Sequence, residues 1–236
     1  ANITTFLRYL LSSNVGEVIT VFTGTVLASV LGLVGPDGAA VVPLLATQIL
    51  WINLVTDSAP ALALGVDPQI DDVMARPPRR RDAPILDRAT WLRIAWVGAV
   101  MAAVSLAAMD LYLPGGLLPG GWGAALGGSG ELEAARTALF TTLVLAQLVN
   151  AFCARSATSS AVRGLYVNPW LWGSVGLGVV LQVAVVHLPP LQRAFGTQAL
   201  TAAQWGVCLA LASVVLWVQE VVKVVARRAR WGDEVR

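Results

Sequence analysis

The sequence predicts an all-α bundle of six membrane-crossing helices, and three features point to it. Charged residues make up 13% of its 236 positions, about half the share in a soluble domain, while hydrophobic residues reach 56%. Mean hydropathy is +0.70. Several apolar runs approach or exceed the ~20 residues that carry a helix across a bilayer.

The first span covers about 7–32, LRYLLSSNVGEVITVFTGTVLASVLG, and ends at the GPDG turn. The second, about 42–65, is VPLLATQILWINLVTDSAPALALG, followed by a loop rich in proline and charge, VDPQIDDVMARPPRRRDAPILDRAT. The third runs over about 91–112 and leads into a glycine-rich external loop, LPGGLLPGGWGAALGGSGELEA, whose composition reads as flexible. The fourth covers about 136–154 and the fifth about 169–188, where Pro189 and Pro190 stop it. The sixth, about 203–226, runs into the basic tail KVVARRARWGDEVR. All of 1–236 reads as one transmembrane domain, with no internal repeat.

Arginine placement orients these spans. Arg76, Arg79, Arg80, Arg81, Arg88 and Arg93 flank the loop after span two, Arg155 and Arg163 lie between spans four and five, and Lys223, Arg227, Arg228 and Arg230 follow span six. Only Arg136 and Arg193 fall on the opposite side. Positive residues stay inside, so both termini and the RPPRRRDAP loop are expected in the cytoplasm, in a multi-pass protein of the cell membrane with lipid as its surroundings. A net charge of +2 without basic-aromatic interleaving excludes nucleic acid as a partner. Cys153 and Cys208 lie far apart in apolar runs, as buried inert thiols do. Trp91, Trp170 and Trp205 near span ends read as interface anchors, and His187 as an interfacial residue rather than a ligand. The chain opens ANITTFLRYLLSSN, without an initiator Met or the tripartite pattern of a signal peptide, so it is expected to be part of a longer protein.

The chemistry lies in polar residues within apolar spans. Asn14 and Glu17 are one turn apart on span one; Asn53, Thr56 and Asp57 share a face of span two. A charge at the bilayer centre costs at least about 2.5–3.5 kcal/mol, so such residues face a bundle interior or a polar pathway. Their oxygens suit a hard cation such as calcium, which takes about 6–8 of them; manganese also accepts oxygen ligands. Pro60 removes a backbone donor and crowds the carbonyl four residues earlier, near Thr56 and Asp57, which turns backbone toward a site. Gly16 permits another helix to approach beside Glu17. Gln147 and Asn150 on span four could line the same pathway or simply bond helix to helix. A buried network that only joins helices is the competing account of all these residues.

FLRYLLSSNVGEV and QILWINLVTDSAPALALGVDP resemble the fifth and sixth transmembrane helices of P-type calcium ATPases of the sarco/endoplasmic reticulum class, and DDVMARPPRRRDAPIL resembles the loop that follows them. The resemblance continues, less specifically, to the basic tail, so the chain corresponds to helices five to ten of that family. It implies that Asn14, Glu17, Thr56 and Asp57 belong to a first calcium site, and that Asn53 and Asp57 serve a second. It also makes Glu17 a ligand that carries protons back. Where the family has a glutamate on helix eight, Gln147 stands here; the lost charge implies fewer than two ions per cycle. TDSAP replaces the family's TDGLP. The DKTGT and PEGLP motifs do not occur in these 236 residues. The resemblance therefore assigns ATP, Mg²⁺, the actuator, phosphorylation and nucleotide domains and helices one to four to a missing N-terminal part, and implies an inactive fragment without it. The alternatives are an ion-coupled secondary transporter or channel without ATP hydrolysis, which the lack of repeat symmetry disfavours, and a non-catalytic scaffold.

Overall fold

The computed structural model describes residues 2–30, 33, 41–68, 86–113, 132–155, 160–161 and 166–234, and side chains as far as residue 225. The GPDG turn, the RPPRRRDAP loop, most of the glycine-rich loop, Arg163 and the side chains of Arg227, Arg228 and Arg230 lie outside the described residues.

The described elements are all helical: α1 (Asn2–Val26), α2 (Ala46–Trp51), a π-helical segment (Ile52–Thr56), α3 (Ser58–Gly65), α4 (Arg88–Tyr112), α5 (Leu132–Ala154), α6 (Pro169–His187), α7 (Pro189–Phe195) and α8 (Ala202–Glu234). Among them, α4, α5, α6 and the Ala202–Val225 part of α8 are long and apolar enough to cross a membrane, four where six were expected. The shortfall has two causes. Helix α1 has the length but carries Arg8, Ser12, Ser13, Asn14 and Glu17. The second span is not one helix but α2, the π segment and α3 in series.

Boundaries follow local chemistry. Helix α1 begins and ends earlier than the expected 7–32, and the returning chain crosses it near its end: a Cβ on Gly24 would lie 2.6 Å from Cγ of Pro43. The same segment delays α2 to Ala46, where the Gln48 side chain accepts the Leu45 N–H at 3.1 Å. Asp87 caps α4 by accepting the Thr90 N–H at 2.8 Å. Asn168 caps α6, which starts on Pro169 and stops before Pro189 and Pro190, as their fixed φ requires. Pro189 then opens the short α7.

Helix α5 is the axis of the bundle. It packs against α1, α3, α4, α6 and α8, and its apolar residues Leu139, Phe140, Leu143 and Val144 are wholly buried with Met101, Val185 and Val215. Helices α6 and α8 turn Trp170, Leu177, Val180, Trp217 and Val221 outward, as lipid-facing helices do. Trp91 is also exposed, and Cys153 and Cys208 are buried free thiols, as expected. His187 is exposed and accepts the Trp205 Nε1–H at 3.1 Å.

The expected close approach at Gly16 is present. Helices α1 and α4 make the most extensive contact in the bundle, and a Cβ on Gly98 would lie 2.7 Å from Val15 Cγ1 and 2.9 Å from the Gly16 backbone nitrogen. Gly98→Ala should therefore force the pair apart and cost about 1–3 kcal/mol. Thermal unfolding in detergent would read this as a lowered midpoint; an unchanged midpoint would mean that the contact relaxes freely.

Candidate functional site

The site grows from two local rules. On α1, Tyr9, Ser13, Glu17 and Thr20 recur at helical spacing, and all four are buried along one stripe. On the second span, proline chemistry breaks the helix. Pro60 has no N–H to give the Thr56 carbonyl. The ladder widens just upstream, so that the Asp57 N–H reaches the Ile52 carbonyl, five residues back, at 2.9 Å. Single π turns of this kind mark functional sites often enough to attract notice. The disturbance expected around Thr56 and Asp57 is thus present.

Glu17 is the centre of the arrangement. Its Oε2 accepts the Asn53 Nδ2–H at 2.7 Å and its Oε1 accepts the Gln147 Nε2–H at 3.0 Å. One buried carboxylate therefore ties α1 to the π segment and to α5. Asp57, 1% exposed, accepts the Tyr9 hydroxyl on Oδ1 at 2.9 Å, from the same stripe of α1 that carries Glu17. Thr56 is buried and donates to the Ile52 carbonyl at 2.9 Å, which leaves its hydroxyl lone pairs available. Asn14 stands half-buried one turn before Glu17. Asn53 also donates to the Ile49 carbonyl at 3.0 Å and is exposed.

The donor and acceptor inventory is unbalanced in an informative direction. Among the described residues, Asp57 Oδ2 and Gln147 Oε1 are buried oxygens with no hydrogen-bond partner, and so is the Ser13 hydroxyl. Buried oxygens without donors suit a cation that supplies the missing positive charge. Among the described residues no three His, Cys, Asp or Glu side chains converge. The set is thus two carboxylates with carboxamide and hydroxyl oxygens, which suits hard cations and not zinc. Asn53 and Gln147 present their N–H groups to Glu17; to ligate an ion, each has to turn its oxygen inward.

Asn150 belongs elsewhere. Its Nδ2–H goes to Ser12 Oγ at 2.9 Å and its Oδ1 accepts Gln219 Nε2–H at 2.9 Å, a chain joining α1, α5 and α8 away from Glu17. Of the two carboxamides on α5, Gln147 alone reaches Glu17. Sequence reasoning passed over Tyr9, although its position two turns before Glu17 on the same stripe is a readable signal.

A groove of about 550 Å³ opens beside this cluster, lined by Glu17, Val18, Val21, Phe22, Thr25, Val26 and Ile49. Of its apolar side chains, Val18, Phe22 and Val26 are exposed.

The family described as "Cation transporting ATPase, C-terminus" matches residues 41–225. A "Calcium-transporting ATPase" of Bacillus subtilis is 34% identical over 213 residues, 90% of this chain and 21% of the relative. A "Calcium-transporting ATPase 1" of Bacillus cereus is 35% identical over 226 residues, 94% of this chain and 24% of the relative. An "Endoplasmic reticulum calcium ATPase srcA" of Aspergillus fumigatus is 31% identical over 247 aligned positions, 97% of this chain and 24% of the relative. The chain spans about a fifth to a quarter of the length of these relatives.

Proposed function

The chain belongs to the cation-transporting ATPase C-terminal family, and from that footing we propose that it is the ion-carrying membrane part of an ATP-driven calcium pump. The observation that carries the reading is Glu17: a buried carboxylate bonded at once to Asn53 beside a helix break and to Gln147 on the central helix. Asn14, Glu17, Asn53, Thr56, Asp57 and Gln147 are the proposed ligands, with calcium as cargo and manganese as the second cation such oxygens accept. The reading includes six membrane crossings, α1 and the broken second span supplying the two that length and hydropathy alone do not return. Both termini then lie in the cytoplasm and the protein resides in the cell membrane.

ATP and Mg²⁺ act on the part of the protein outside this chain, which comprises the actuator, phosphorylation and nucleotide domains and helices one to four. The groove beside Glu17 is the proposed seat of one of those helices: it is lined almost wholly by apolar side chains and has Glu17 in its wall. A secondary transporter is set aside because the matched relatives are named as ATPases.

Gln147 sets the expected stoichiometry. A site holding two divalent ions needs nearby negative charge, and among the described residues Glu17 and Asp57 are the carboxylates proposed to supply it. Full-length protein in sealed vesicles should take up calcium on addition of ATP at about one ion per ATP, and Gln147→Glu should raise the ratio. ATP hydrolysis indifferent to calcium would overturn the pump reading. A clean ratio of two in the wild type would instead show that neutral oxygens suffice at the Gln147 position.

A further inference from the structure

At the end of α3 farthest from Asp57 is a second buried cluster. Asp67 accepts Arg155 Nε–H on Oδ2 and Nη2–H on Oδ1, each at 2.9 Å, with side-chain exposures of 7% and 2%. Asn168 adds an Nδ2–H to Asp67 Oδ1 at 2.8 Å and another to the Ala63 carbonyl at 3.0 Å, while capping α6 with its own oxygen. Asn2 donates to the carbonyls of Gly65 at 3.0 Å and Asp67 at 3.1 Å. Four elements meet here: the start of α1, the end of α3, the end of α5 and the cap of α6.

Two of these elements, α1 and α5, carry Glu17 and Gln147, and a third, α3, begins immediately after Asp57. Helix α3 is eight residues long, a strut of about 12 Å. Its upstream end is the π segment and Pro60, where the hydrogen-bond ladder is interrupted, so the chain before Asp57 is a poor anchor for it. The far end is where α3 is fastened. A fork-to-fork guanidinium–carboxylate pair fixes both distance and orientation. Burying one is a weak source of stability, because desolvation offsets the attraction, but it specifies geometry well.

We propose that Asp67 and Arg155 are positioning residues for the ion site: they hold α3 so that Asp57 keeps its place against Tyr9 on the stripe of α1 that carries Glu17, and they act through the helix without touching the ion. The inference rests on the calcium-site reading above. Helix α3 becomes a lever with a ligand at one end and a clamp at the other, and the clamp joins it to the two helices that bear Asn14, Glu17 and Gln147.

The test uses full-length protein with Asp67→Asn, Arg155→Gln and the double variant, measuring calcium activation of phosphorylation from ATP together with thermal unfolding in calcium-free buffer. Breaking one partner leaves a buried charge uncompensated, so the single variants should unfold at lower temperature. The double variant, neutral on both sides, should regain most of that stability. It should nevertheless need at least tenfold more calcium for half-maximal phosphorylation at an unchanged maximum, because two carboxamides cannot reproduce the fork. A double variant with wild-type calcium dependence would overturn the inference, leaving the pair a purely structural contact. If the single variants do not fold, the double variant and Arg155→Lys, which keeps the charge and loses the fork, still decide it. A wild-type protein without calcium response would overturn the ion-site reading itself, an outcome distinct from unchanged variants in a calcium-responsive pump.

Discussion

Asp57→Asn in the full-length protein should abolish calcium-dependent phosphorylation by ATP. The substitution keeps nearly the same shape, and an asparagine oxygen can still accept the Tyr9 hydroxyl that Asp57 Oδ1 accepts at 2.9 Å. What changes is the other atom. Oδ2 is buried without a hydrogen-bond partner among the described residues, and asparagine puts an N–H donor there. A cation that was to bond Oδ2 meets a repulsive dipole and loses a full negative charge at short range, in surroundings that screen poorly. The fold has little reason to fail, since Asp57 joins no ion pair among the described residues. The measurement is phosphoenzyme formed from ATP across a calcium titration. No phosphoenzyme should appear at about a hundred times the wild-type half-saturating calcium; formation near the wild-type concentration would remove Asp57 from the ligand set.

How far the sequence led depended on whether the signal was local. The stops at Pro189 and Pro190 and the break before Pro60 follow from a single residue's covalent geometry, and both are present. The grouping of Asn53, Thr56 and Asp57 on one segment, and of Asn14 with Glu17 on another, needed only helical spacing. The edges of α1 differ from the expected ones because apolar run length carries no signal for where a helix starts or stops, nor for tertiary contacts such as Pro43 against Gly24. A count of spans by apolarity passes over α1 because its polar residues, Arg8, Ser12, Ser13, Asn14 and Glu17, make it look less like a membrane helix. Arg155 is the clearest omission. As one more positive residue on the inner side it satisfied topology, and nothing within a turn of it announces Asp67, 88 positions away. Gln147 and Asn150 read alike in sequence, three residues apart on one helix face, yet the rise of nearly one turn between them brings one to Glu17 and the other to Ser12, at different levels of α1.

Glu17→Gln should separate an ion site from a network that merely joins helices. Glu17 accepts an N–H on each oxygen, from Asn53 at 2.7 Å and from Gln147 at 3.0 Å. A glutamine there offers one oxygen and one N–H, so one neighbouring amide has to turn over. Either can: Asn53 is exposed, and Gln147 already holds an unpartnered oxygen, Oε1, that could accept the new donor. The hydrogen bonds are thereby restored without a buried charge, and replacing a buried charge by well-bonded neutral groups is often neutral or favourable for stability. Thermal unfolding in calcium-free detergent should therefore shift by no more than a few degrees. Calcium binding is affected in the opposite sense, because the site loses one of its two carboxylates. Affinity should fall at least a hundredfold, about 2.7 kcal/mol, by equilibrium binding to the full-length protein. A network that only joins helices would give the reverse pattern, a collapse in unfolding temperature with calcium binding per folded molecule unchanged, and Glu17 would then be a structural brace between α1, the π segment and α5.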